Sequence, residues 1–117
     1  MDDISVEEHE LLTFFEVEPT LAHADTPWPY NDYLYEIQQG DVSLSCAIAP
    51  FHKDIRIILR MTSCKLYELN NMGGVKDIRY QNKNSDETLE IIFDENDWIV
   101  LRVQPEIELF HNRKRTT

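Results

Sequence analysis

His9-Glu10-Leu11-Leu12 begins like a zinc-binding helix, in which two histidines four residues apart hold the ion and the glutamate serves as base. Position 13 is Thr, so the second ligand of that motif is missing. His23 with Asp25 and His52 with Asp54 each offer two ligands, one short of the three protein ligands a catalytic zinc takes. Asp94, Glu95 and Asp97 crowd carboxylates into one stretch but lack the Gly and terminal Glu of a calcium loop. Asp and Asn serve tight turns equally well. The four histidines, His111 included, therefore read as surface or turn residues, with pH response or metal binding as the alternatives. Three glycines in the whole chain leave no phosphate-cradling loop, and no G-x-S-x-G elbow is present. Pairs such as Glu16/Glu18 are common among 22 acids and would need burial or a charge partner to become an acid or base. The expectation is no metal and no cofactor, with an Asp/His hydrolase the last-ranked reading.

Cys46 and Cys64 stand outside any C-x-x-C pairing, and two cysteines do not make a disulfide framework. They are expected as small core residues of a protein in the reducing cytoplasm, a bridge between neighbouring strands being the alternative. A reactive thiol needs a base or positive field that spacing alone does not supply.

Charge is the strongest signal. The chain has 117 residues and a formal net charge of −11, and the first Lys or Arg is Lys53. All eleven surplus acids, from Asp2 to Asp41, fall in the first 52 residues; the remaining 65 hold eleven acids and eleven bases. At the overall basic frequency, chance would place about five Lys or Arg in that first stretch. Held close in a fold, like charges repel, so the excess marks an acidic surface with a use. It also disfavours a nucleic-acid binder, which needs clustered Lys and Arg on phosphates. No apolar run approaches the roughly 18 residues of a membrane span. Asp2-Asp3 does not open a basic-then-apolar secretory leader.

These residues must be positioned by elements that the patterning announces. With 42% hydrophobic residues there is enough apolar material for a core. Ser5-Val6-Glu7-Glu8 has capping-box spacing, which predicts a helix over about 5–16 with Leu11, Leu12, Phe14 and Phe15 as its apolar face. Pro19, Pro27, Trp28, Pro29 and Tyr30 make 19–32 an ordered loop. Period-two alternation then predicts strands at Tyr33–Gln38, Val42–Ile48 and Ile55–Met61. Shorter strands follow at Lys65–Leu69 (or a helical turn over 65–72), Val75–Tyr80, Thr88–Phe93, Trp98–Val103 and Glu106–Phe110, with 81–86 a polar loop and 111–117 a frayed tail. Ile58, Ile92, Ile99 and Leu101 fall on positions expected to face outward, so some strands need both faces covered. The fold class is α+β: an N-terminal helix packed on a curved, mainly antiparallel sheet of seven to eight strands, as a meander, half-barrel or small sandwich. Residues 1–112 form a single domain and 113–117 a flexible basic tail.

The aromatic patch of Trp28, Tyr30, Tyr33 and Tyr35 is either core or, at Trp28 and Tyr30, an exposed anchor among acids that suits a cationic partner. In size, acidity and lack of catalytic motifs the chain resembles small bacterial immunity and inhibitor proteins, which neutralise basic nuclease toxins by covering their active-site surface. No family residues carry over, because the resemblance involves no diagnostic motif. It implies a non-enzymatic domain docking on a basic protein, with Glu16, Glu18, Asp25, Asp32 and Glu36 in contact and Trp28 and Tyr30 as anchors. The alternative is a small-molecule-binding β domain with an aromatic-lined pocket near Tyr33, Tyr35 and Trp98. A homodimer through an exposed last strand is compatible with either.

Overall fold

A computed structural model describes residues 4–113. Its helix, α1, spans Glu8–Phe15, shorter at both ends than the predicted 5–16. Glu7 is the cap, not Ser5: its amide donates to the Glu10 carboxylate at 2.9 Å, the i to i+3 return of a capping box. Ser5 is drawn away to Asp77, its amide and hydroxyl both bonded to that carboxylate. At the other end Glu16 turns left-handed (φ 59°) and its N–H caps the Leu12 carbonyl, so the helix stops before Pro19 is reached. Leu11, Phe14 and Phe15 form the buried face.

Nine strands follow, one more than the upper expectation, in two antiparallel meanders. The first sheet runs β1 (Thr20–Leu21), β2 (Tyr33–Gln39), β3 (Val42–Ala49), β4 (Asp54–Met61) and β5 (Cys64–Asn71). The second runs β6 (Asp77–Lys83), β7 (Asp86–Asp94), β8 (Asp97–Arg102) and β9 (Glu108–Asn112). The extra strand is β1, a two-residue rung inside the proline-rich loop. The segment expected as strand or helical turn is the strand Cys64–Asn71, not a helix. The 81–86 loop contracts to a two-residue turn, because Asn84 and Ser85 both adopt positive φ and let β6 and β7 pair as far as Lys83 and Asp86.

One apolar core holds the two sheets and the helix together. Tyr35, Leu44, Cys46, Ile48, Ile55 and Ile57 face it from the first sheet, and Ile78, Leu89, Ile91, Ile99 and Leu101 from the second. Ile99 and Leu101 are thus inward, contrary to expectation: they pair with Ile91 and Leu89, and the irregularity between Ile92 and Asp94 resets the alternation across the hairpin. Ile58 and Ile92 do lie on outer faces, half-buried. The helix closes one side of this sandwich: Phe15 stacks on Tyr35 of β2 at 4.5 Å, and Phe14 meets Tyr80 of β6 edge-on. Cys46 sits in the core, where burial pushes its thiol up to about 12. Cys64 instead lies exposed as the first residue of β5, so the two thiols are free and only one is a core residue.

Candidate functional site

The loop between α1 and β2 is anchored by one side chain. Asn31 is the buried polar residue of the described core, 1% exposed. Its Oδ1 accepts the amides of His23 (3.1 Å) and Asp32 (2.8 Å), while its Nδ2 donates to the carbonyls of His23 and Thr26. All four hydrogen-bonding positions of the amide are used, which fixes an irregular segment that no strand ladder could hold. Trp28 then packs inward, its ring 5.0 Å from Tyr33, and Tyr30 points outward.

Tyr30 is 56% exposed and its ring lies 5.0 Å from that of Phe51, itself 54% exposed. The Phe51 amide bonds the Pro29 carbonyl, locking the β3–β4 turn to the loop. Trp28, Pro29, Tyr30, Pro50, Phe51 and Lys53 line a depression of about 330 Å³ there. Asp54 ties the neighbouring β5–β6 connection in, accepting the Gly73 amide at 2.7 Å. Gly73 meets this geometry with φ +74°, a conformation a side chain would strain.

A second, more apolar groove of about 380 Å³ runs over the outer face of the first sheet, beside β1. Leu34, Ala47 and Ala49 floor it, Leu21 and Met72 wall it, and Asp32 and Asp54 stand at its rim. Met72 is 78% exposed although apolar. Leu21 also borders a third depression, with Glu8, Leu12 and Glu18 on the helix side. Tyr35 borders it as well. The Tyr33 phenol is buried beside the Glu8 carboxylate, and burial first, with that charge second, pushes it up to about 12.

Of the seven residues singled out from sequence, four line the three depressions and three do not. Asp32 lines the groove, Trp28 and Tyr30 line the aromatic depression, and Glu18 lines the helix-side depression. Asp25 is exposed on the anchored loop, and Glu16 is exposed as the helix C-cap. Glu36 is exposed on the outer face of β2 opposite Ser45, outside the three depressions described. The aromatic patch divides: Tyr33 and Tyr35 are core, Tyr30 is surface, and Trp28 bridges the two. Leu21, Phe51, Asp54 and Met72 belong to the site and were missed. Two of them carried a signal, since Phe51 follows Pro50 in a turn and Met72 sits in Asn-Asn-Met-Gly-Gly, places where an apolar side chain has nothing to pack on.

The ion pairs complete the picture. Arg56 and Lys65 pair with Glu68, Arg79 with Asp77, and Arg102 with Asp86. Every Lys or Arg paired among the described residues is matched to an acid of the second half. Among the described acids before Lys53, the one paired is Glu7, with His9. Glu16, Glu18, Asp25, Asp32 and Glu36 have no ion-pair partner among the described residues. No group of three or more His, Cys, Asp or Glu suited to a metal occurs among the described residues. No helix there is long and apolar enough to cross a membrane.

No protein-family model matches the chain, and no curated protein matches it in sequence. Among solved structures it is similar to a chain of the contact-dependent growth inhibition toxin–immunity protein complex from Klebsiella pneumoniae 342, with a TM-score of 0.74 at 20% identity over 94% of this chain and 96% of that one. The likeness is one of fold.

Proposed function

We propose that this chain is a non-enzymatic interaction domain of the immunity or inhibitor type, docking its acidic end on a basic protein. The observation that carries the reading is the uneven distribution of charge: the second half balances its acids with an equal number of bases and holds every Lys or Arg ion pair among the described residues, while Glu16, Glu18, Asp25, Asp32 and Glu36 have no ion-pair partner there. Unpaired carboxylates in a fold repel, and a basic partner relieves that repulsion while steering the encounter. The exposed Tyr30–Phe51 pair, whose Tyr30 shares its loop with Asp25 and Asp32, supplies the aromatic anchor that charge alone lacks. The similar fold in a toxin–immunity complex supports the same reading. Two free thiols suit a cytoplasmic setting.

The test is capture of a partner on the immobilised protein at low salt, eluted by a salt gradient. A basic protein should be retained and released at moderate salt. Glu16→Lys/Glu18→Lys/Asp25→Lys/Asp32→Lys should abolish its binding, and Tyr30→Ala should weaken it about tenfold. Unchanged affinity in the fourfold charge reversal overturns the reading.

A further inference from the structure

The groove on the outer face of the first sheet has a chemistry of its own. One rung of the sheet reads Thr20, Leu34, Ala47, Arg56, Asn70 across its five strands, and the next pairs Ala49 with Asp54. Alanine at the two central positions leaves a trough between Leu34 and the β4 side chains. Leu21 and Met72 rise at its sides, 41% and 78% exposed. Its charge is lopsided. Arg56 leans to Glu68 at 3.4 Å and is answered there. Asp32 has no ion-pair partner among the described residues, and Asp54 uses one oxygen on the Gly73 amide, leaving the other for a ligand. The groove is within the roughly 300–1,000 Å³ range of small-ligand sites, yet it opens along one side. An open trough with an apolar floor and carboxylates at one end fits a side chain presented on an extended backbone better than an enclosed small molecule.

We propose that this groove seats an aliphatic side chain of the basic partner, carried next to a Lys or Arg whose cation lies between Asp32 and Asp54. This rests on the docking reading above and assigns it a contact: the apolar residue covers Ala47 and Ala49 against Leu21 and Met72, and the neighbouring cation meets the rim. Selectivity comes from the pair of features, since rim carboxylates covered by the docked chain repel an acidic neighbour and attract a basic one.

The probe is a capped tripeptide, acetyl-Lys-Leu-Lys-amide, titrated into the isotope-labelled protein while methyl resonances are followed, with acetyl-Glu-Leu-Glu-amide as control. The Lys peptide should shift Leu34, Ala47, Ala49 and Met72 saturably, and the Glu peptide should bind at least fivefold more weakly. Ala47→Leu, which fills the floor, should remove the titration. Asp32→Asn, at an exposed position, should erase the preference between peptides with the melting temperature unchanged. Equal binding of both peptides overturns the cationic half of the proposal, and no saturable shift in the groove overturns it whole. Shifts confined to the residues around Glu16, Glu18 and Glu36 overturn the groove while leaving the acidic docking surface standing.

Discussion

The Tyr67 hydroxyl lies 2.7 Å from Nδ1 of His111, and Nε2 of the same imidazole lies 2.8 Å from the Asp97 carboxylate. Tyr67 belongs to the last strand of one sheet, His111 to the last strand of the other, and Asp97 opens β8. The three clasp the side of the sandwich opposite the helix. Asp97 fixes the tautomer by accepting Nε2–H, so Nδ1 accepts the Tyr67 proton. Burial pushes the Tyr67 hydroxyl up, with Arg113 opposing and Asp97 adding, which keeps it a donor. His111 is therefore no residue of a frayed tail; of the predicted tail 113–117, Arg113 is exposed and the rest lies outside the described residues.

Removing the clasp should loosen the two sheets from each other. Tyr67→Phe is expected to cost about 1 kcal/mol, the worth of one half-buried bond. His111→Ala should cost about 2–3 kcal/mol, because it strands the Tyr67 hydroxyl and also uncovers Phe93, whose ring lies 6.3 Å away. Urea denaturation of both single variants and the double variant measures the coupling. Losses that simply add would show that Tyr67 and His111 act separately.

The first sheet was legible in sequence for a physical reason. Val42, Leu44, Cys46 and Ile48 alternate with small or polar residues, and a half-buried strand must obey period two. Turn chemistry at Gly40-Asp41 set the β2–β3 register. What stayed hidden was which sheet each strand joins, since alternation at Ile99 and Leu101 records a buried face without saying what buries it. Asn31 and His111 were hidden for a related reason: their roles rest on partners 5–8 and 14–44 residues away, and a polar side chain at such a distance leaves no periodic trace. The unpaired acids were legible because charge asymmetry is a property of composition. Their apolar neighbours Leu21 and Met72 were not, because a groove forms only when strands and turns meet.

Acid should unclasp the N-terminal segment from β6. Burial alone would raise the Asp77 carboxyl, but bonds from the Ser5 amide and hydroxyl, Arg79 and the Ile78 amide outweigh it and hold it below the ordinary value. A depressed folded value gives stability that is complete above the ordinary carboxylate range, about 3.9, and fades as pH falls below it through the folded value. Ser5→Ala removes the hydroxyl's bond and keeps the amide's, so it should be about 1–2 kcal/mol less stable than the parent at pH 7. The gap should narrow as pH falls below the ordinary carboxylate range and Asp77 takes up its proton in both. Denaturation at pH 7, 4 and 2.5 reads it, and a gap independent of pH would place the Ser5 effect outside this carboxylate.

The two thiols should separate cleanly in labelling. Cys46 is fully buried with its thiol pushed up to about 12, so the reactive thiolate is scarce and out of reach. Cys64 is exposed. A chromogenic disulfide reagent should titrate one thiol in the folded protein and two in denaturant, with Cys64→Ser reducing the folded count to none. Fast modification of two thiols in the folded protein would mean that β3 opens more readily than its place in the core allows.

Asn31 is where fold and docking surface meet. Its amide satisfies two backbone N–H groups and two carbonyls of a loop that carries Asp25, Trp28, Tyr30 and Asp32. In Asn31→Ala those groups either stay buried and unbonded, at about 1–3 kcal/mol each, or swing out to water. Opening is the cheaper course for a surface loop, so the global loss should be no more than about 2–3 kcal/mol while the loop itself is released. Trp28 would then leave Tyr33, which a red shift in fluorescence reports in a Trp98→Phe background, and proteolysis should begin within residues 22–30. Asn31→Asp should do no better, since its carboxylate would face the carbonyls of His23 and Thr26 that the amide now serves. Should Asn31→Ala keep both the Trp28 emission and protease resistance, the loop is held by its aromatic contacts, and the acidic surface does not depend on this one side chain for its shape.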